Sequence, residues 1–312
     1  MIKKGSTFGV LIMMFLLVIL GFLLYFLYLN LPGKEAVGFE QVVGNVETII
    51  VGGVSEQFYE NMRYRDKKIS YVISENCGEK KRVSMEEAFS KLEDLTVLEF
   101  FPSDNPELSI LCEDLAPEAG HEDYFVAGEG GPSEVINGTL YSVILSGEIA
   151  LFREERCSES KIAVHELLHA LGFNHNGNPN SILYPTLDCN QKIDDEIIND
   201  INRLYSFASL PDLKIHTVNA TKAGRYLNFY IEVLNQGLWD AYDADLTIKV
   251  DGKEVQDFHL ETIKIGARKI LSVENLKISG SAERITFVID NKNMIDEIFE
   301  NNNDADLILR TL

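Results

Sequence analysis

Basic residues are scarce in this chain: Lys and Arg number 28 against 49 Asp and Glu, a formal net charge of -21 over 312 residues. A surface of that sign repels phosphate backbones, which excludes nucleic acid as a partner and leaves solubility as its plain consequence. Cysteine is scarce too. The four present, Cys77, Cys112, Cys157 and Cys189, form no C-x-x-C pair, so a cysteine zinc knuckle and a thioredoxin-type redox site are both excluded. In an oxidising compartment they could form two disulfides in any of three pairings. Cys157 with Cys189 is the favoured pair, because these two bracket the histidine-rich segment from His165 to His175.

One long apolar run is present. Phe8 to Leu29 holds 22 residues without a charge, and about 20 suffice to cross a hydrocarbon core. A cleaved secretory signal has a shorter apolar region and a small-residue cleavage site. This run instead ends Phe26-Leu27-Tyr28-Leu29-Asn30-Leu31-Pro32, so an uncleaved signal anchor is expected. Lys3, Lys4 and the terminal amine precede it, and only Lys34 closely follows it. The positive-inside bias therefore places the N-terminus in the cytoplasm and everything after Asn30 outside. The glycosylation sequons Asn137-Gly138-Thr139 and Asn219-Ala220-Thr221 agree with that placement.

The length suits two domains. The expected organisation is a cytoplasmic tip and anchor over 1–30, a stalk or lead-in over 31–62, an α+β domain over 63–209 and an all-β sandwich over 210–312. Lys68 to Ile73 reads as a half-buried strand. Ser84 with Glu87 reads as a capping box opening a helix that carries Ala88, Phe89, Leu92 and Leu95. Val97–Phe101 and Leu108–Cys112 read as short strands. The glycine-rich Ala127–Pro132 reads as a surface loop, and Thr139–Leu145 and Glu148–Phe152 as two strands around a Ser146-Gly147 turn. Two helices come next, over 160–171, stopped by Gly172, and over about 194–207. Beyond Pro211 the period shifts to alternation, with strands at Leu227–Val233, Leu246–Val250, Ile263–Ile265, Ile270–Val273 and Ile285–Ile289.

The chemistry sits in His165-Glu166-Leu167-Leu168-His169-Ala170-Leu171-Gly172-Phe173-Asn174-His175. Spacing of four on a helix brings His165 and His169 to one face, and Gly172 lets the chain bend so that His175 returns as a third ligand. Three protein ligands leave one position open for water, the mark of a catalytic zinc site, and Glu166 beside the first ligand is placed as general base. The expected reaction is amide hydrolysis with one zinc ion, on a protein or peptide substrate. A reading from a different class is a surface adhesion or binding protein whose zinc only braces the fold. The intact Glu166 favours the enzyme, since a bracing site has no use for a base.

This motif resembles the metzincin clan. With Ala170-Leu171-Gly172-Phe173 and Ser181-Ile182-Leu183-Tyr184-Pro185 it is most similar to the matrixin branch, over residues 66 to 207. The resemblance implies a metzincin-like α+β fold in which Leu183 replaces the methionine of the turn beneath the zinc, a volume-conserving exchange. It also implies Tyr184 as an electrophile or pocket wall, with simple packing against the helix as the equal alternative, and a strand near Gly147–Phe152 that pairs with an extended substrate. Residues 31–76 lack the cysteine of a latency propeptide. Only His121 lies upstream of the helix to serve a second structural zinc, so none is expected.

The C-terminal part, through Pro211-Asp212-Leu213, Val233-Leu234-Asn235-Gln236-Gly237 and the ending at Glu300-Asn301-Asn302-Asn303, resembles the CARDB-type immunoglobulin-like module of prokaryotic surface proteins. That resemblance implies either adhesion and substrate presentation or a rigid spacer. Asp290, Asn291, Asn293, Asp296, Glu297 and Glu300 are candidate calcium ligands, although they lack the spacing of an EF-hand loop.

Overall fold

The computed structural model describes residues 7–30, 37–42, 55–113, 115–117 and 126–309. Helix α1 (Thr7–Asn30) is the apolar run, with its described side chains exposed. It is long and apolar enough to cross a membrane, with a mean hydropathy of 3.0 over Gly9–Tyr28.

The catalytic domain is a twisted sheet covered by helices. Strands β2 (Met62–Tyr64), β3 (Lys68–Ile73), β4 (Glu99–Pro102), β5 (Leu108–Cys112) and β7 (Ser142–Leu151) run parallel in the order β2-β7-β5-β3-β4. Strand β6 (Gly128–Asn137) adds antiparallel to β7. Helices α2 (Glu79–Leu95) and α3 (Lys161–Ala170) pack against each other, and α3 lies across β6 and β7. Helix α4 (Asp195–Leu204) adds Ile197, Ile201 and Leu204 to the same core.

Several local expectations need correction. The helix with the expected capping box begins earlier, at Glu79 after Gly78, and Ser84 lies within it. Lys80, Lys81 and Arg82 are good helix formers and extend it backwards. Ser146-Gly147 is no turn: a single strand, β7, runs straight through it. Gly147 is needed there because a Cβ would lie 2.3 Å from the Tyr64 hydroxyl. Nor is the glycine-rich stretch a loop. Gly128 and Gly130 are in β6 because this strand runs against the helix bearing Glu166, where a Cβ on Gly130 would sit 2.2 Å from the Glu166 carbonyl oxygen.

The stalk expected over 31–62 is corrected at residues 37–42 and 55–62, while 31–36 and 43–54 lie outside the described residues. Ser55 onward belongs to the catalytic domain: the Ser55 amide donates to Asp200 at 2.7 Å, and Gln57 bridges Phe173. Strand β1 (Val37–Val42) belongs to the sandwich. That domain comprises β8 (Leu213–Ala223), β9 (Tyr226–Asn235), β10 (Ala241–Val250), β11 (Lys253–Ile263), β12 (Arg268–Lys277), β13 (Arg284–Ile289) and β14 (Asp304–Leu309). Strand β1 sews its two sheets together, pairing Phe39–Val42 with β14 and Val37–Gly38 with β8. An isolated six-residue strand carries no signal of partners that lie beyond the whole catalytic domain in sequence, so its place could not be read locally.

Cys157 pairs with Cys189, and Cys77 with Cys112. The first bridge ties the approach to α3 to the segment after the Ser181 turn, and the second ties the start of α2 to the end of β5. The two domains share a packed boundary. Leu238 and Ile265 of the sandwich are buried in the catalytic core, the Arg65 guanidinium lies 4.7 Å over the Trp239 ring, and Thr139 Oγ1 donates to Gln236 Oε1 at 3.2 Å.

Candidate active site

Helix α3 is amphipathic inside the core. Ala163, Val164, Leu167, Leu168 and Ala170 fill the space beneath the sheet, and His165 and His169 emerge one turn apart. At its end Gly172 adopts φ +96, a left-handed conformation that suits glycine, and a Cβ there would also strike Met62. The turn brings His175 back. The three Nε2 atoms lie 3.0, 3.1 and 3.2 Å apart, so they converge on one point.

Backbone carbonyls orient the two helical rings. His165 Nδ1 is 2.6 Å from the Ile182 oxygen and His169 Nδ1 is 2.7 Å from the Phe173 oxygen. A carbonyl only accepts, so each Nδ1 carries the proton and each Nε2 presents its lone pair to the centre. Burial, aided by the neighbouring histidines, depresses His165 and His169 to about 4, and burial lowers His175, each shift favouring the neutral ring that binds metal. Zinc bound tetrahedrally at about 2.0–2.1 Å places its nitrogen ligands about 3.3 Å apart. The donor set therefore fits zinc.

Glu166 is 5 % exposed yet reaches the cleft. Burial first, and then the charge of Glu129, push its carboxyl up to about 8. The cleft has a volume of about 930 Å³ and is walled by β6 on one side and by Phe58, Asn174, His175 and Pro185–Leu187 on the other.

Leu183 lies in the turn that supports His165 through the Ile182 carbonyl. It is 1 % exposed, and its oxygen accepts from the Asn176 amide at 3.0 Å. Asp194 pins this turn: it accepts from Ser181 Oγ, from Asn176 Nδ2 at 3.2 Å and from Asn178 Nδ2 at 3.1 Å. Tyr184 is not among the described residues that line the cleft. Its amide closes the turn onto the Ser181 oxygen, its side chain is half-buried, and Pro185, Thr186 and Leu187 form the wall instead.

The strand expected to pair with substrate also shifts. β7, which contains Gly147–Leu151, is bonded on both flanks, to β6 on one and to β2 and β5 on the other, so the outer edge next to the cleft belongs to β6. Sequence reasoning missed Glu129, Phe58 and Asp194 as parts of the site, because each reaches it through pairings distant in the chain. The glycines at 128 and 130 were the one available signal.

Among the candidate calcium ligands, Glu297 accepts from the Leu213 amide and from Asn303 Nδ2, and Asp290 accepts from the amides of Met294 and Ile295. His121 lies outside the described residues.

Residues 56–180 match the family model of the Astacin peptidases, and residues 210–306 match the CARDB model. The matrixin assignment is thereby corrected: within the metzincin clan the match is to Astacin. No curated protein matches the chain. Among solved structures, high choriolytic enzyme 1, a hatching enzyme zinc-protease from Oryzias latipes, is 18 % identical over 45 % of this chain and 90 % of its own, with a TM-score of 0.31. The CARDB domain of a Pyrococcus furiosus protein, solved in complex with di-metal ions, is 18 % identical over 32 % of this chain and 88 % of its own, at 0.28. A domain of a putative cell surface protein from Methanosarcina acetivorans is 20 % identical over 33 % and 93 %, at 0.27. From the three converging imidazoles, the adjacent carboxylate and the two family matches, the chain is a zinc metalloendopeptidase that carries a CARDB domain.

Proposed function

We propose that this chain is a membrane-anchored endopeptidase that cleaves extended segments of extracytoplasmic proteins, with His165, His169 and His175 holding one zinc ion and Glu166 as general base. The observation that carries this reading is the mutual 3.0–3.2 Å spacing of the three Nε2 atoms beside a buried carboxylate that opens into the cleft. Bound zinc would supply Lewis acidity toward the scissile carbonyl and acidify a water toward neutral pH. Glu166 accepts a proton from the attacking water and returns it to the leaving amine nitrogen. The substrate backbone pairs with the free edge of β6, gaining main-chain hydrogen bonds while the cleft orders the residues around the scissile bond. The Ser181–Tyr184 turn acts by packing, with Leu183 in the place of a methionine.

Helix α1 is the anchor. Two disulfides in the catalytic domain support an oxidising compartment for the chain beyond it, and the lysines before it support a cytoplasmic N-terminus. The test uses the full chain in detergent. Wild type is expected to contain one zinc per chain and to hydrolyse an unfolded protein, with activity lost to a chelator. Glu166→Ala should retain the zinc and lose hydrolysis by several orders of magnitude. Equal rates for the two proteins would remove the peptidase assignment and leave a bracing zinc.

A further inference from the structure

A peptide that extends the sheet beyond β6 must alternate its side chains between the two faces of the sheet. At this edge the two faces differ in what they meet. On the helix side, Gly128 and Gly130 abut Glu166. On the other side, the register places Glu129 beside Ala150, and Gly131 beside Glu148, which in turn lies beside Ser109. Ile149 and Leu151, which alternate with these positions on β7, are buried in the core. The row holding Glu129 and Glu148 is therefore the solvent face, and both glutamates are exposed there.

Gly131 interposes no side chain between Glu148 and the edge, and even a Cβ built on it would meet nothing within 4 Å. Glu129 and Glu148 line the same cleft as Glu166, and no lysine or arginine stands among the described residues that line it. Neither carboxylate has a cationic partner among the described residues.

We propose that Glu129 and Glu148 are two subsites for basic side chains, which makes extended segments with Lys or Arg at alternate positions the substrate class. A basic side chain opposite Glu129 pairs with it directly across the strands, at a Cβ separation of about 4.5–5.5 Å. A second, two residues along and on the same face, reaches over Gly131 to Glu148. The inference rests on the peptidase reading and on β6 as the pairing strand.

The test uses full-length enzyme and quenched fluorescent peptides that are identical except for Lys, norleucine or Glu at the two alternate positions. The cross-strand pair with Glu129 should raise kcat/KM for Lys over norleucine by about two- to fivefold, the more distant Glu148 should give a smaller preference at its position, and both gains should shrink as salt rises. Glu129→Gln should abolish the preference at one position and Glu148→Gln at the other, while Glu148→Lys should turn its position toward Glu. A merely structural role would move all peptides together. Cleavage at equal rates whatever the charge, or a lysine preference untouched by both substitutions, overturns the subsites and leaves the peptidase intact. Cleavage of no peptide by zinc-loaded enzyme sinks the peptidase reading and the subsites with it.

Discussion

Gly130→Ala isolates the contact that sets the height of the edge strand above Glu166. The added Cβ would lie 2.2 Å from the Glu166 carbonyl oxygen, 2.8 Å from its carbonyl carbon and 2.9 Å from its Cα. All three are backbone atoms within α3, so no rotamer change relieves the clash. Strand and helix must part by about 1 Å to restore ordinary contact distances. Overpacking of this kind costs about 1–3 kcal/mol, and a misplacement of about 1 Å at a reacting centre costs about 100-fold in rate. His165 and His169 move with the helix, and His175 accompanies them through the Gly172 turn, so zinc should remain bound at one per chain. The assay is kcat/KM on an unfolded protein together with Tm and metal content. Gly131→Ala serves as the folding control and should leave Tm unchanged, because its Cβ points into open space. A Gly130→Ala enzyme with wild-type kcat and Tm would refute the idea that β6 positions Glu166.

Asp212 and Glu297, both buried, make stability depend on pH. Burial pushes them up to about 6 and about 7 against N–H donors from Gln236, Asn302, Leu213 and Asn303 that favour the charged forms. With folded values raised, the native state holds protons that the unfolded chain releases. Their contribution to stability is fully present below the unfolded values of about 4 and is lost as pH rises from there through about 6 for Asp212 and about 7 for Glu297, by about 3 kcal/mol per group at most. Thermal melts from pH 5 to 8 should fall in wild type and flatten in Asp212→Asn/Glu297→Gln; a flat wild-type profile contradicts the assignment. Replacing Cys157 and Cys189 by serine opens a crosslink of sequence separation 32 and should lower unfolding free energy by about 3–4 kcal/mol, read by denaturant titration under non-reducing conditions. Deleting residues 37–42 removes the strand that joins β14 to β8 and bares both edges, so it should lower Tm and promote self-association on size exclusion. A monomer with unchanged Tm would show that β1 contributes nothing.

The metal site was legible because its ligands lie within one helix and the turn after it. A spacing of four on a helix, ending at a glycine that can take a positive φ, is a local geometric statement, and it needs no knowledge of the rest of the chain. Most strands and the two-domain division were legible on the same grounds, since alternation and apolar period are local. What failed depended on pairing. The glycines at 128 and 130 look like turn residues until the Glu166 backbone is placed against them, and Gly147 looks like a hairpin until Tyr64 is placed beneath it. Glu129 reaches the cleft only through the register of β6. Local composition states which conformations a residue tolerates; the partner that requires the conformation lies elsewhere in the sequence.

The same distinction bears on what the C-terminal domain is for. A detachable spacer would contribute no side chain to the core of its neighbour, yet Leu238 and Ile265 are buried in the catalytic core and Arg65 stacks on Trp239. The sandwich is also not simply C-terminal. Its strand β1 precedes the catalytic domain in sequence and β8 comes after it, so the peptidase is an insertion between two neighbouring strands of the sandwich, held at both ends. Asn30, which ends α1, and Val37, which starts β1, can be separated by at most about 25 Å. With α1 in a membrane, the start of β1 would lie within that distance of its outer end. Movement of the catalytic domain against the sandwich requires opening the core that Leu238 and Ile265 share with it, a buried contact that costs several kcal/mol to open. The geometry thus favours an enzyme whose cleft keeps a fixed attitude to the sandwich, with access set by how the substrate segment presents itself.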